Sequence, residues 1–192
     1  MVRTRREALL GASSLIVGLS GCSGGRNTTD TASLTATARP NEYDGTTDPE
    51  RRTVRNPTGE PAAKSTLYDP SWGWDEGEWL VTDRDDHDAL YFADAAEGAE
   101  SARSFVAETD LAAAVVLIHQ YRVKACEEWS LERLRWRAEN EGPPGRFAIE
   151  LSYRRVEREG ECPEGTDRDV AATFVRVPAQ FREVGAFTVS VG

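Results

Sequence analysis

Four aspartates surround His87 in the segment 83–88, and carboxylates at such close spacing are candidate ligands for a divalent cation. They are Asp83, Asp85, Asp86 and Asp88. A calcium loop of the EF-hand type that began at Asp83 would need glycine at its sixth position and glutamate at its twelfth, but Asp88 and Asp94 stand there. The EF-hand template is therefore excluded. Two interpretations remain, a solvated acidic loop, which we favour, and an irregular Ca²⁺ or Mg²⁺ site.

Three tryptophans cluster at positions 72, 74 and 79 in the run SWGWDEGEW. An aromatic platform for a sugar or a peptide would use such rings, which makes Trp72 and Trp74 candidate binding residues. Tryptophan is nevertheless mostly buried in globular proteins. We therefore prefer the alternative, in which these rings cover one end of a hydrophobic core.

Three arginines, Arg133, Arg135 and Arg137, alternate along a predicted strand and so share one of its faces. The segment 67–110 carries 13 acidic and only two basic side chains, whereas the rest of the chain is more evenly balanced. Two hypotheses follow for the cationic face. It packs against the acidic segment, which is the version we prefer, or it stays open as a binding surface for an anionic partner.

Cys126 and Cys162 are expected to form a disulfide. They lie 17 and 19 residues from Pro143, which is the centre of a predicted turn, so that they fall nearly opposite each other in a hairpin. The alternatives are two free thiols or a metal site. A metal site is not predicted, because His87 and His119 are the only histidines and a blue-copper centre needs two histidines, a cysteine and usually a methionine.

The sequence offers no candidate catalytic residue. His119 lies in phase with Val115, Leu117 and Tyr121 on an apolar strand, which indicates a core histidine rather than a general base. Within the predicted domain, residues 67–192, neither a GxSxG nucleophile motif nor a glycine-rich phosphate loop is present. We therefore expect a protein that is not an enzyme and that uses no cofactor.

The elements that position these residues follow from the hydropathy pattern. The nearly continuous apolar run 113–121 predicts a central strand that is covered on both faces. Strict alternation over 147–153 predicts a half-buried strand, and helical spacing over 97–108 predicts a short helix. Further strands are predicted over 78–82, 131–138, 171–177 and 186–191. The expected fold is mainly β, an antiparallel β-sandwich or partly open barrel of six to seven strands with one short helix, spanning residues 67–192.

Residues 1–22 are interpreted as a signal peptide. Arg5 and Arg6 precede an apolar run that is too short to span a bilayer, as in a twin-arginine export signal. The run ends in Leu19-Ser-Gly-Cys22, which resembles a lipobox and makes Cys22 the predicted lipidation site. We expect the mature chain to be anchored through this lipid at the outer face of the cytoplasmic membrane.

Residues 23–66 are predicted to form a disordered stalk. They are rich in threonine and proline, carry equal numbers of acidic and basic side chains, and show little apolar periodicity. Asn27 begins a sequon and is a candidate glycosylation site. Within the stalk, Arg51–Arg55 is a candidate edge strand that docks onto the domain.

The net charge of −10 and the isoelectric point near 4.8 make free nucleic acid a poor partner. Of the 23 basic residues, 21 are arginine. Together with the twin-arginine lipobox, the stalk, the segment 51–65, Trp79-Leu-Val-Thr82 and the strands that carry Cys126 and Cys162, this bias resembles a family of uncharacterised lipoproteins of halophilic archaea. The resemblance implies export and lipid anchoring, and assigns no activity to any residue.

These observations favour a lipid-anchored β-domain with a binding or structural role towards a protein or envelope partner. The alternative is an extracytoplasmic protein that binds a solute or a divalent cation through the acidic segment 67–110.

Overall fold

The computed structural model of the chain describes residues 42–67, 76–139, 144–158 and 168–192. These residues form ten strands and two helices. The strands are β1 (Asp44–Thr46), β2 (Arg51–Asn56), β3 (Ala63–Ser65), β4 (Gly77–Val81), β5 (Leu90–Phe92), β6 (Val115–Lys124), β7 (Glu127–Ala138), β8 (Arg146–Glu157), β9 (Arg168–Val177) and β10 (Glu183–Val191), and the helices are α1 (Arg84–Asp88) and α2 (Ala99–Ala107). Within this part of the chain, neither helix is long and apolar enough to cross a membrane.

The strands form two four-stranded sheets and one two-stranded sheet. The outer sheet has the order β1-β7-β8-β10, the central sheet has the order β2-β9-β6-β4, and β3 pairs with β5 in the small sheet. The predicted mainly β, sandwich-like fold is confirmed, and the described strands form no closed barrel. One pairing departs from the antiparallel expectation, because β10 runs parallel to β8.

The central sheet is buried on both of its faces. On β6, Leu117 and Tyr121 face the outer sheet, and Val116 and Ile118 point the opposite way, towards α2 and the small sheet. The first core fills the sandwich, and the second lies beneath α2 and the small sheet. This double burial explains why the sequence of β6 is almost continuously apolar, as predicted.

The hairpin of β7 and β8 carries the outer half of the sandwich core. Ile149 and Leu151 alternate with polar residues on β8 and point inwards. A register shift between Leu131 and Arg133 interrupts the alternation on β7, so that both Leu131 and Leu134 reach the core. The arginines of β7 consequently lie on the outward face.

The prediction of a disordered stalk is wrong for residues 42–66. Strand β1 pairs with β7, β3 pairs with β5, and β2 pairs with β9 over its whole length. The expectation that Arg51–Arg55 forms an edge strand is confirmed, since β2 lies at one edge of the central sheet. These short strands are held by partners that are remote in sequence, so they need little apolar periodicity of their own. The earlier stalk residues, with Asn27, lie outside the described part of the chain.

The structure has more strands and helices than the sequence predicts, because several of these elements are too short to show a hydropathy pattern. Strands β1, β3 and β5 contain three residues each, which is too short to display a period of two. Helix α1 has five residues and none of them is buried, so that no apolar stripe marks it. The folded part of the chain therefore begins well before residue 67.

The predicted disulfide is also wrong, because Cys126 is a free, half-buried cysteine at the turn between β6 and β7. The backbone N–H of Arg158 donates to the carbonyl oxygen of Cys126 at 2.8 Å, which places Arg158 opposite Cys126 in the hairpin. Cys162 follows four residues later in sequence and lies outside the described residues. A hairpin centred on Pro143 would place residue 160 opposite Cys126, whereas the actual pairing of β7 with β8 places Arg158 there.

The buried guanidinium of Arg55 joins several elements at one end of the sandwich. Its Nε donates to Asp169 Oδ2 on β9 at 2.5 Å. Its Nη1 donates to the carbonyl oxygen of Glu127 at 2.8 Å, and its Nη2 donates to the carbonyl oxygens of Lys124 and Ala125 at 2.8 and 3.0 Å. Arg55 therefore ties the edge strand β2 to β9 and to the turn between β6 and β7.

We expect Arg55→Ala to lower the free energy of unfolding by about 3–5 kcal/mol, because it leaves the buried Asp169 carboxylate without its charge partner. Arg55→Lys should recover only part of this loss, since an ammonium group cannot reproduce the fork of donors. Denaturant unfolding measures both changes. Arg84→Ala is the control, because Arg84 is 81% exposed in its ion pair and should cost under about 1 kcal/mol. Equal losses for the Arg55 and Arg84 variants would contradict the role of Arg55.

Candidate functional site

The aspartates of segment 83–88 cap and stabilise helix α1, and they do not converge on one position as metal ligands would. Asp83 is the N-cap residue, and its side chain accepts from the backbone N–H of Asp86 at 3.0 Å. Asp86 Oδ2 in turn accepts from both the backbone N–H and the hydroxyl of Thr82, each at 2.8 Å. This reciprocal arrangement resembles a capping box. The favoured interpretation as a solvated loop is therefore corrected, since the segment is a capped helix.

Asp88 at the end of α1 is also engaged locally. It lies 2.9 Å from His87 Nδ1 and 3.1 Å from Arg84 Nε. The hydrogen bond with His87, together with the charge of Arg84, lowers the pKa of Asp88. Among the described residues, no group of three or more acidic, histidine or cysteine side chains is arranged to hold a metal ion. The side chains of Asp83, Asp86 and Asp88 therefore stabilise α1 through local hydrogen bonds and ion pairs.

The tryptophan cluster is only partly described. Trp79 on β4 is 8% exposed and packs in the second core, which agrees with its interpretation as core cover. Trp72 and Trp74, the candidate binding residues, lie outside the described residues.

The arginines predicted on one strand face do share the outward face of β7. Arg135 Nη1 donates to Glu150 Oε2 of the neighbouring strand at 3.0 Å. The guanidinium groups of Arg135 and Arg137 lie 4.5 and 5.1 Å from the ring centre of Tyr43, which precedes β1. Such cation–π contacts attract a guanidinium group to the face of an aromatic ring. Arg133 is the most open of the three.

The cationic face does not pack against the described residues of the acidic segment, 67 and 76–110, so the preferred version of that hypothesis is wrong for this part of the segment. Strand β4 of that segment is an edge of the central sheet, α2 and β5 pack on the face of that sheet that points away from the outer sheet, and β1 lies beside β7 on the outer sheet. No ion pair among the described residues joins Arg133, Arg135 or Arg137 to the acidic segment. The face therefore remains open on its outer side.

A groove beside Arg133 combines the outward face of β7 with the connection from β1 to β2. Its volume is about 520 Å³. We call it the arginine groove, and it is lined by Thr47, Asp48, Arg51, Ser130, Leu131, Glu132, Arg133, Ser152 and Arg154.

Two of the three guanidinium groups in the arginine groove face carboxylates of the groove itself. Arg154 Nε lies 2.6 Å from Glu132, and Arg51 Nη1 lies 3.9 Å from Asp48. Arg133 is exposed and forms no ion pair with any other described residue. The groove therefore presents one uncompensated cation between two exchangeable ion pairs.

His119 is a core residue, as its phase on β6 predicted. It is 7% exposed, and its Nδ1 lies 3.0 Å from the hydroxyl oxygen of Tyr153. Its ring centre lies 5.0 and 5.3 Å from those of Tyr121 and Phe187. Burial lowers the pKa of His119 to about 4 and raises the pKa of Tyr121 to about 12, so both rings are neutral near pH 7.

A second cavity, which the sequence did not reveal, lies at the end of the sandwich beside Arg55. Its volume is about 270 Å³. We call it the end cavity, and it is lined by Thr53, Arg55, Glu97, Gly98, Tyr121, Val123, Glu128, Trp129, Arg158 and Ala171. These residues come from β2, β6, β7, β9 and two connecting segments, so no local motif announces the site.

No protein family matches the chain, and no curated protein and no solved structure matches it either. Function must therefore be inferred from the geometry of the two cavities and of the arginine face.

The buried His119 predicts a specific pH dependence of stability. Its pKa in the folded chain, about 4, lies below its ordinary value of 6.5, so the unfolded chain binds the extra proton first as the pH falls. The free energy of unfolding should thus decrease between about pH 6.5 and pH 4, by up to about 3 kcal/mol for this group.

Chemical unfolding of the wild type and His119→Phe at several pH values isolates this contribution, because the carboxylates titrate in both. The variant should lose less stability on acidification than the wild type. His87→Asn is the matched control and should follow the wild type. A His119→Phe curve that parallels the wild type would refute the assignment.

Proposed function

We propose that the chain is a lipid-anchored cell-surface β-domain that binds an anionic group of a protein or envelope partner in the arginine groove, without catalysis. The observation that carries the proposal is the exposed guanidinium of Arg133, which has no ion pair among the described residues and lies in a groove with Arg51 and Arg154. Guanidinium groups bind carboxylates and phosphates through paired, charge-assisted hydrogen bonds.

An anionic group of a partner can replace the carboxylates that now pair with the arginines of the groove. The pair of Arg154 with Glu132 is more than half exposed on both sides, and Asp48 is almost fully exposed. Exposed ion pairs contribute only about 0–1 kcal/mol, so an incoming anionic group displaces them at small cost. The groove can therefore offer up to three guanidinium groups to one ligand.

The charge of the rest of the chain restricts which partner fits. With a net charge of −10, the protein repels extended polyanions, and this supports the expectation that nucleic acid is not a partner. A locally presented anionic group on an envelope protein or glycan meets the arginines without approaching the acidic segment.

The membrane attachment in this proposal rests on the lipobox at Cys22. Two acyl chains on one cysteine hold a protein far more firmly than a single chain. The alternative function, cation binding by the acidic segment, has weaker support because Asp83, Asp86 and Asp88 are engaged around α1.

Binding of the arginine groove is tested with washed envelope vesicles from the source organism, from which the endogenous protein has been deleted. The double variant Arg133→Gln/Arg154→Gln should bind at least tenfold more weakly than the wild type, and wild-type binding should weaken as salt rises. Arg84→Gln removes an exposed charge from α1, outside the groove, and should bind normally. If the double variant is folded by circular dichroism and binds like the wild type, the proposal fails.

Anchoring is tested separately by fractionating cells that express Cys22→Ala. Without the cysteine thiol no lipid can be attached, so the protein should move from the membrane pellet to the soluble or extracellular fraction. Ser23→Ala leaves the thiol in place and should remain in the pellet. Retention of Cys22→Ala in the pellet after a high-salt wash would show that another feature holds the chain to the membrane.

A further inference from the structure

The end cavity has an aromatic wall that is already held in place. The rings of Tyr121 and Trp129 stack with centres 4.4 Å apart and planes 8° from parallel. The hydroxyl of Tyr121 lies 3.3 Å from Thr173 Oγ1, so this ring is fixed from behind. Arg55, on another wall, is occupied by Asp169 and by three carbonyl oxygens. These residues therefore shape the cavity without presenting a free charge to it.

One polar atom of this wall lacks a partner. The indole Nε1 of Trp129 is buried and donates no hydrogen bond to any described residue. A buried donor without an acceptor costs about 1–3 kcal/mol, and such groups in folded proteins call for an explanation. Because this nitrogen is closed to solvent, a ligand in the end cavity is not assigned a hydrogen bond with it, and Trp129 contributes to the cavity through its stacked ring.

The rim of the end cavity carries charges of both signs that are not used elsewhere. Glu97 and Glu128 contribute carboxylates, and Arg158 contributes a guanidinium group. All three residues are exposed, and none of them forms an ion pair within the described part of the chain. In the arginine groove both carboxylates are paired with arginines, whereas the end cavity presents unpaired charges of both signs among the described residues.

Gly98, which lines the end cavity, stands where any side chain would collide with β2. Gly98 has a φ of 82°, and a Cβ atom there would lie 2.6 Å from the carbonyl oxygen of Thr53 on β2. Only glycine fits such a position. Gly98 precedes α2, and no side chain caps the first turn of this helix.

From these features we propose that the end cavity binds a small zwitterion, a molecule of α-amino-acid class with one ammonium and one carboxylate group. The ammonium group pairs with Glu97 and Glu128, and the carboxylate pairs with Arg158. Two carboxylates on the rim disfavour anions that lack a cationic group. A volume of about 270 Å³ lies at the lower limit of ligand pockets, so the ligand is small.

Calorimetric titration of the full-length protein in detergent with the twenty standard L-amino acids, tested one at a time, examines this proposal. At least one should bind saturably. The amine and the carboxylic acid that each retain one charged group of that amino acid should bind at least tenfold more weakly. If no amino acid binds, or if the amine binds as tightly as the parent, the proposal is overturned.

Two variants locate the site. Glu128→Gln and Arg158→Gln should each weaken binding at least tenfold, because each removes a charge that pairs with the zwitterion. Glu157→Gln lies on the same hairpin outside the cavity and should bind like the wild type. Folding of each variant is checked by its denaturation midpoint. Wild-type affinity in the folded Glu128 and Arg158 variants would place the ligand elsewhere and overturn the proposal.

Discussion

The guanidinium of Arg55 is a buried charge, so its hydrogen-bond partners must come from the protein itself. It needs a carboxylate for its charge and carbonyl oxygens for its remaining donors. Asp169 supplies the first, and the turn from Lys124 to Glu127 supplies the second. Because these partners lie on β9 and between β6 and β7, the end of the sandwich can form only when all of these elements are present. The backbone of Arg55 also bonds in both directions with Glu97, which brings the segment before α2 into the same assembly.

Burial of the central sheet on both faces separates the two charged regions of the chain. Helix α2 and the small sheet cover one face, and the arginine-bearing hairpin of β7 and β8 covers the other. The apolar central layer lies between them, so the carboxylates around α1 do not neutralise the arginines of β7. Tyr43 and Glu150 hold two of these arginines in place from their own side. The open position of Arg133 is thus a consequence of the layer order.

The long strands of the fold could be predicted because their hydropathy patterns extend over many residues. The apolar run of β6 and the alternation of β8 each extend over several residues, and both are explained by burial. Strands such as β1 and β3 could not be predicted, because three residues contain no period and their stability comes from remote partners. The spacing of three between Asp83 and Asp86 is compatible with a helix cap, but the density of acidic residues favoured a solvated loop instead. Arg55, Trp129 and Arg158 lie far apart in sequence, and only the folded chain brings them to one cavity.

The early start of the folded region determines how far the protein can extend from a membrane. If the lipid is on Cys22, the chain between the anchor and β1 comprises about 22 residues rather than the 45 or so expected for a stalk that ends at residue 66. At about 3.4 Å per residue, even a fully extended chain of this length reaches only about 75 Å, roughly half of the longer estimate. Pairing of Asp44–Thr46 with β7 also fixes the point of attachment on the outer sheet, close to the arginines. With such an anchor, the tether would keep β1, and with it the outer sheet that carries the arginine groove, within about 75 Å of the lipid headgroups.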